Sequence, residues 1–348
     1  MADSSRTEIF FIVDGARLEA QACLLAPSLK AHLGQNQRAA AYVREDYRNR
    51  LDPMTVQVLA ASDIEIRVIP GTASGHAPWA SPYPHGNKIL AAAAPRDCDV
   101  SVFIDTDTVL TGPIDFEAEL GDADIAACVS DYAASAGSDE DWAAYYAAFD
   151  LPPTSDRVQY RAGRQLVSFP YFNAGVVLFR ERHADGTPTG IGRDWLNAAL
   201  RFEREVKRDY ARANIDQFTL PIVGYLRGSP VKALSHHMNF NIQSFGNSAT
   251  DRDGIVHYHR LGVLWAHRKH GRQALEGLMN VLGPDAAEMF LETFGTLAKR
   301  KRMKHHLRDM EIVRAASARP SVPAGAGAEP EEQRQHRAGA GRHDQQAA

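Results

Sequence analysis

Short apolar runs recur through the first third of this chain, and each is followed by a segment with helical spacing. Residues 8–13 (E-I-F-F-I-V) stop at Asp14-Gly15, and Leu18, Ala22, Leu25 and Leu29 then fall on one helix face. Residues 39–43 and 64–69 read as further strands with a helix over 54–60 between them, and a helix over 85–94 precedes the fully apolar strand 100–104. Strands alternating with helices predict an α/β fold with a mostly parallel central sheet covered on both faces. Such a sheet binds its ligands at the carboxyl ends of its strands.

The second half is more mixed. Residues 125–129, 175–179 and 255–259 read as strands, and Trp195, Leu196, Ala199, Phe202, Val206 and Tyr210 share one face of a long amphipathic helix. Residues 130–168 read as a long insertion near the working end of the sheet. Pro284 and Asp285 open a helix expected to reach about Ala316. From Arg319 onward the only larger aliphatic residue is Val322, too little apolar surface to offset ordering, so 319–348 is expected to be a disordered tail. The expected organisation is a domain over 1–283, a C-terminal helix over 284–318 and that tail.

Composition narrows the function. Lys plus Arg (39) against Asp plus Glu (43) gives a net charge of −4, without the concentrated basic face of a nucleic-acid binder. Three cysteines (Cys23, Cys98, Cys128) lack metal-ligand spacing and suit a reducing compartment. With no signal-like or membrane-spanning run, the expectation is a cytoplasmic protein. The basic run 299–302 offers a peripheral membrane contact, but Met303, Leu307, Met310 and Val313 beside it favour a packed helix.

Asp105-Thr106-Asp107 stands out by position. Asp-x-Asp also occurs at 97/99, 122/124, 139/141 and 251/253, but only Asp105 and Asp107 directly follow a continuous apolar strand. Two carboxylates this close repel unless a cation or proton lies between them, and a hard divalent metal bridging to a diphosphate relieves the conflict. Asn173, before Ala174-Gly175 and an apolar strand, offers both a donor and an acceptor to a hydroxylated ligand. Asn214 or Asp216 reads as a helix cap, or Asp216 and Gln217 face a cleft. In Val256-His257-Tyr258-His259, strand alternation puts both histidines on one face.

In this order, F-I-D-T-D-T-V-L (103–110), Y-F-N-A-G-V (171–176), Asp216-Gln217 and V-H-Y (256–258) resemble the family 8 glycosyltransferases of the GT-A fold. The resemblance spans roughly residues 8–265. It implies transfer of a sugar, with retention of configuration, from a nucleotide diphosphate sugar (a UDP-sugar) to a saccharide or other hydroxyl acceptor. It implies Mn2+ or Mg2+ held by Asp105, Asp107 and His257, with His259 able to exchange roles with His257. Val13 and Asp14 would meet the base and ribose, and Lys88 would lie near the donor, unless it is a solvated surface lysine. Asn173, Ala174, Asp216 and Gln217 would line the donor-sugar pocket, with Gln217 stabilising charge at the reacting carbon. The chain departs from the family where Arg260 stands in place of a glycine and the diphosphate lysine is missing. The alternatives are a non-catalytic sugar-nucleotide-binding protein and a nucleotidyltransferase, though the latter's early glycine-rich basic loop is not seen.

Overall fold

A strand buried along its whole length needs cover on both faces, and β1 (Thr7–Ile12) is such a strand. Even its Glu8 is buried, with the carboxylate accepting from Arg38 (2.7 Å) and Arg67 (2.6 Å). In this computed structural model the described residues are 6–70, 78–131, 137–160, 167–206, 209–245, 254–297, 303–308 and 310. The tail from 319 and the basic run 299–302 lie outside them.

Among the described residues the main sheet has seven strands, in the order β10 (Lys232–Leu234), β6 (Ile125–Val129), β9 (Phe172–Arg180), β4 (Val100–Ile104), β1, β2 (Gln37–Val43) and β3 (Glu65–Val68). Neighbours are parallel except at β9, which runs antiparallel to both β6 and β4. The expected α/β architecture with a mostly parallel sheet is present. A second sheet joins β11 (Phe240–Asn241), β12 (Ile255–His257) and β5 (Thr108–Leu110), and a small ribbon pairs β7 (Val158–Gln159) with β8 (Val167–Ser168). Because β5 follows β4 after three residues, the loop 105–107 is shared by both larger sheets.

The helices are α1 (Ala16–His32), α2 (Glu45–Arg48), α3 (Pro53–Ala61), α4 (Gly86–Ala92), α5 (Phe116–Leu120), α6 (Asp139–Ala147) and α7 (Ile191–Glu205). They continue with α8 (Asp209–Arg212), α9 (Ile215–Leu226), α10 (Ile242–Phe245), α11 (Leu261–Leu264), α12 (Arg268–Leu282) and α13 (Ala286–Phe294). Phe10 and Ile12 of β1 enter a core filled by α4, α7 and α9, while the buried Ile9 and Phe11 point to the other face. Helices α1, α3, α12 and α13 pack on one another.

Several boundaries differ from expectation. The amphipathic helix stops at Glu205, where Val206 turns extended (ψ 106°), so Tyr210 belongs to the separate α8. The C-terminal helix is interrupted: α13 ends at Phe294, and residues 303–308 are helical again. Helix α13 packs on α12, and the compact unit runs through Arg308. The acidic cluster at 138–141, read as part of an insertion, instead starts α6. Ser138 and Asp141 form a reciprocal capping box there. Behind it Trp142, Tyr145 and Tyr146 are fully buried core, with Trp142 against Phe169, Tyr171 and Phe218.

Candidate active site

The loop between β4 and β5 sends its two carboxylates to different partners. Asp105 Oδ1 accepts from Lys88 Nζ at 3.0 Å, while Asp107 Oδ1 lies 3.0 Å from His257 Nε2. Thr106 between them ties the loop to the end of β1 through a hydroxyl bond to the Ile12 carbonyl (2.5 Å). Opposite, Gly175 of β9 permits the convergence. A Cβ there would stand 2.7 Å from Asn173 Oδ1 and 3.0 Å from both Asp105 Oδ2 and the His257 ring.

Lys88 is not a surface lysine. Its side chain is 6% exposed, and Nζ reaches Asp105, Asp216 Oδ2 (3.1 Å) and the Ala174 carbonyl (3.1 Å). Burial opposes its charge, but the two carboxylates outweigh that and raise its pKa above the ordinary lysine value, so it stays protonated. Asp216 is 2% exposed, the second residue of α9 rather than its cap. Asn214 occupies the cap position without a side-chain bond to a helix amide, and its Oδ1 accepts from Gln217 Nε2 (3.3 Å).

His257 and His259 meet by a route that strand alternation does not supply. Strand β12 ends at His257, and His259 is left-handed (φ 53°). The turn is held by Tyr258 N–H on the Asp107 carbonyl (3.0 Å), and it brings the two imidazoles to 3.9 Å between centroids. Among the described residues, Asp107, His257 and His259 form a group whose ligand atoms lie within 4.8 Å of one another. Asp105, expected as a ligand, stands beside this group with its carboxylate on Lys88.

The hydrogen-bond network decides whether that group suits a cation. The Gly175 N–H donates to Asn173 Oδ1 (2.7 Å), which also accepts from Asn239 Nδ2 (2.8 Å). This orients Asn239 so that its Oδ1 faces His257 Nδ1 at 2.9 Å, which must then carry hydrogen. The lone pair of Nε2 is left aimed at a carboxylate oxygen, and two acceptors at that distance need a proton or a metal between them. Without metal the proton serves. Burial works against it, but the Asp107 charge raises the His257 pKa, and His257 in turn holds Asp107 below the usual carboxylate range. Burial and the neighbouring His257 charge lower His259 to about 4, which leaves it neutral and able to ligate. A neutral imidazole, a second held by an orienting amide, and a carboxylate fit a divalent cation.

Two cavities flank the group. One, of about 460 Å³, opens at the ends of β1 and β4 and is lined by Asp14, Arg17, His85, Lys88, Asp105 and Asp107. Asp14 accepts from Asn87 Nδ2 (2.9 Å), and its pKa is raised by burial. The other, of about 300 Å³, is lined by Asp131, Asn173, Gln217, Asn241, His259 and Arg260 among others. Asp131 accepts from Asn241 Nδ2 (2.9 Å). Of the other residues singled out in the sequence, Val13 is buried, donating its N–H to the Tyr42 carbonyl (2.8 Å), and Ala174 is buried with its carbonyl on Lys88. Sequence reading did not find Asn239, Asp131 or Asn241. They lie on short, irregular segments with no motif to mark them.

The Rhodobacterales glycosyltransferase domain matches residues 9–225, which include the Asp105–Asp107 loop, Lys88, Asn173, Asp216 and Gln217. The chain belongs to that glycosyltransferase family. No curated protein sequence matches this glycosyltransferase significantly. Among solved structures it is similar to galactosyltransferase LgtC in complex with donor and acceptor sugar analogs (18% identity, 83% of this chain and 96% of that one, TM-score 0.46). It is also similar to mouse xyloside xylosyltransferase 1 in apo form (13%, 73% and 97%, 0.45) and to the apo bifunctional glycosyltransferase WbbM (16%, 83% and 52%, 0.47).

Proposed function

We propose that this glycosyltransferase is metal-dependent, of the family 8 GT-A type, and moves a sugar from a UDP-sugar to a hydroxyl acceptor with retention of configuration. One observation carries the reading. The Asp107–His257–His259 group stands between the two cavities, with Asp107 lining the larger and His259 the smaller. A nucleotide diphosphate in the larger cavity would then have its leaving group beside the cation site, and the acceptor would approach through the smaller. Mn2+, or less readily Mg2+, when held by Asp107, His257 and His259 with Asp105 alongside, supplies charge neutralisation for the departing diphosphate.

The chain's own groups do the rest. Asp14 at the end of β1 receives the nucleoside side of the donor. Lys88 holds the Asp105 carboxylate in place through its 3.0 Å contact. The second cavity is rich in carboxamides (Asn173, Asn214, Gln217, Asn241, Gln243), which pair with sugar hydroxyls as donors and acceptors at once. Gln217 is neutral and a poor nucleophile, so its role is to steady positive charge at the anomeric carbon through its carbonyl oxygen. The acceptor hydroxyl attacks from the face the diphosphate leaves and gives its proton to a diphosphate oxygen.

Calorimetry of UDP, GDP and dTDP with manganese present tests the donor class, with UDP expected to bind most tightly. Proton NMR of the first product from an α-linked donor tests the stereochemistry. An α-glycoside is expected, and a β-glycoside would overturn the mechanism and direct attention to Asp131 as a base.

A further inference from the structure

Tyr83 bridges the walls of the two cavities. Its hydroxyl donates to Asp216 Oδ1 (2.9 Å) and accepts from the Asp216 amide (3.1 Å), across 133 residues of sequence. Tyr83 stands immediately before Pro84 and His85, which line the larger cavity, and Asp216 immediately before Gln217, which lines the smaller. The bond to the amide meets a need of α9 itself. The Asn214 carbonyl takes the Gln217 and Phe218 amides, the Asp216 amide lies too early in the helix for an intrahelical carbonyl, and Asn214 at the cap position supplies no side-chain bond to it.

The tyrosine is itself held rigidly. It is 5% exposed, its ring meets Trp79 edge-on at 5.2 Å, and the Arg212 guanidinium lies over it at 5.6 Å. Arg212 is fixed in turn by the Ser81 carbonyl (2.7 Å) and Glu203 (2.8 Å). Trp79 packs directly on Gly86, where a Cβ would come within 2.4 Å of its indole. Asp216 Oδ2 continues the connection to Lys88, and Lys88 to Asp105.

We propose that Tyr83 is a positioning residue for sugar transfer, its hydroxyl setting the first turn of α9, and with it Gln217, against the wall of the donor cavity. The proposal rests on the donor and Gln217 assignments above, but it can fail independently of them. Tyr83→Phe removes only the hydroxyl and leaves a buried carboxylate oxygen and an amide without their partner. Thr219→Val is the matched control. It removes a buried hydroxyl from the same helix, one bonded to the Ile215 carbonyl (2.6 Å) and to Trp195 Nε1 (3.1 Å) and lining neither cavity.

Full-length wild type and both variants are compared with manganese present, for UDP binding and for turnover of UDP-glucose and UDP-galactose. Tyr83→Phe is expected to lower kcat about 10- to 100-fold, with UDP affinity changed less than about threefold, because misplacement by an ångström slows chemistry without removing binding contacts. Thr219→Val should lose melting temperature to a similar extent yet keep kcat within about twofold. Amide exchange at residues 216–218 should speed up about fivefold or more in Tyr83→Phe. Equal kcat in wild type and Tyr83→Phe, or an equal fall in both variants, would overturn the proposal. If wild type binds no UDP and turns over neither donor, the proposed function fails. Exchange then decides the tyrosine's part alone, and an unchanged rate in Tyr83→Phe would remove it.

Discussion

Asp107 and Asn239 act on the same imidazole from opposite sides, so their substitution separates ligand from support. Asp107→Ala should abolish manganese-dependent UDP binding and also lower the melting temperature, since it takes the partner from the buried His257 imidazole. Unchanged UDP affinity in that variant would count against the cation site. Asn239→Ala leaves every ligand atom but frees the His257 ring to turn, and should weaken manganese binding about 10- to 100-fold by calorimetry. The cysteines give a residue-scale test of the core. Cys23 is fully buried and its thiol is pushed up to about 12, chiefly by burial, while Cys98 is raised to about 11. Native protein at pH 8 should therefore resist iodoacetamide at both, and label only after denaturation. Asp105 and Asp107 were legible in the sequence because a fully buried strand points at them. Asn239 was not, because its meaning comes from Asn173, 66 residues away, and from a ring in a different sheet.

The elements were legible where burial alone decides them. Strands β4 and β6 match their apolar runs end to end, since an apolar stretch bounded by polar residues leaves little freedom of register. Ends set by backbone turns were not legible. His259 adopts a left-handed conformation with no glycine to announce it, and Val206 leaves the helix although its side chain continues the apolar stripe. The packing of α4 on α7 shows the same dependence on partners. A Cβ on Gly192 would fall 1.9 Å from the Ala92 carbonyl oxygen, backbone that cannot step aside. Gly192→Ala should destabilise the fold by about 3 kcal/mol in urea titration. Arg96, its side chain fully buried, bonds that carbonyl (2.5 Å), the Ala91 carbonyl (2.6 Å) and Glu181 (3.0 Å), and its guanidinium lies 4.3 Å over the Phe10 ring. Arg96→Ala takes the buried guanidinium from both carbonyls and from Glu181, leaving the Ser101 hydroxyl on Glu181 and the Ala94 amide on the Ala91 carbonyl, and is expected to cost about 3–5 kcal/mol by the same measurement.

For the whole molecule, the site lies where two sheets share one loop, so neither sheet alone contains it. The segment 319–348, with almost nothing to pack, should be dispensable. Its deletion is expected to leave melting temperature and turnover unchanged in thermal and steady-state assays, and lost acceptor use with donor hydrolysis intact would instead give it a recruiting role. The antiparallel strand β9 has a consequence during synthesis. It is the central seam between β6 and β4, yet β4 leaves the ribosome about 70 residues before it. Until residue 180 has emerged, β1, β2 and β4 can pair while one edge of β4 stays open and apolar, and β6 waits without a neighbour. A chain stalled there offers an exposed template for pairing with other nascent chains, which makes it a natural client for holdase chaperones bound near the exit tunnel.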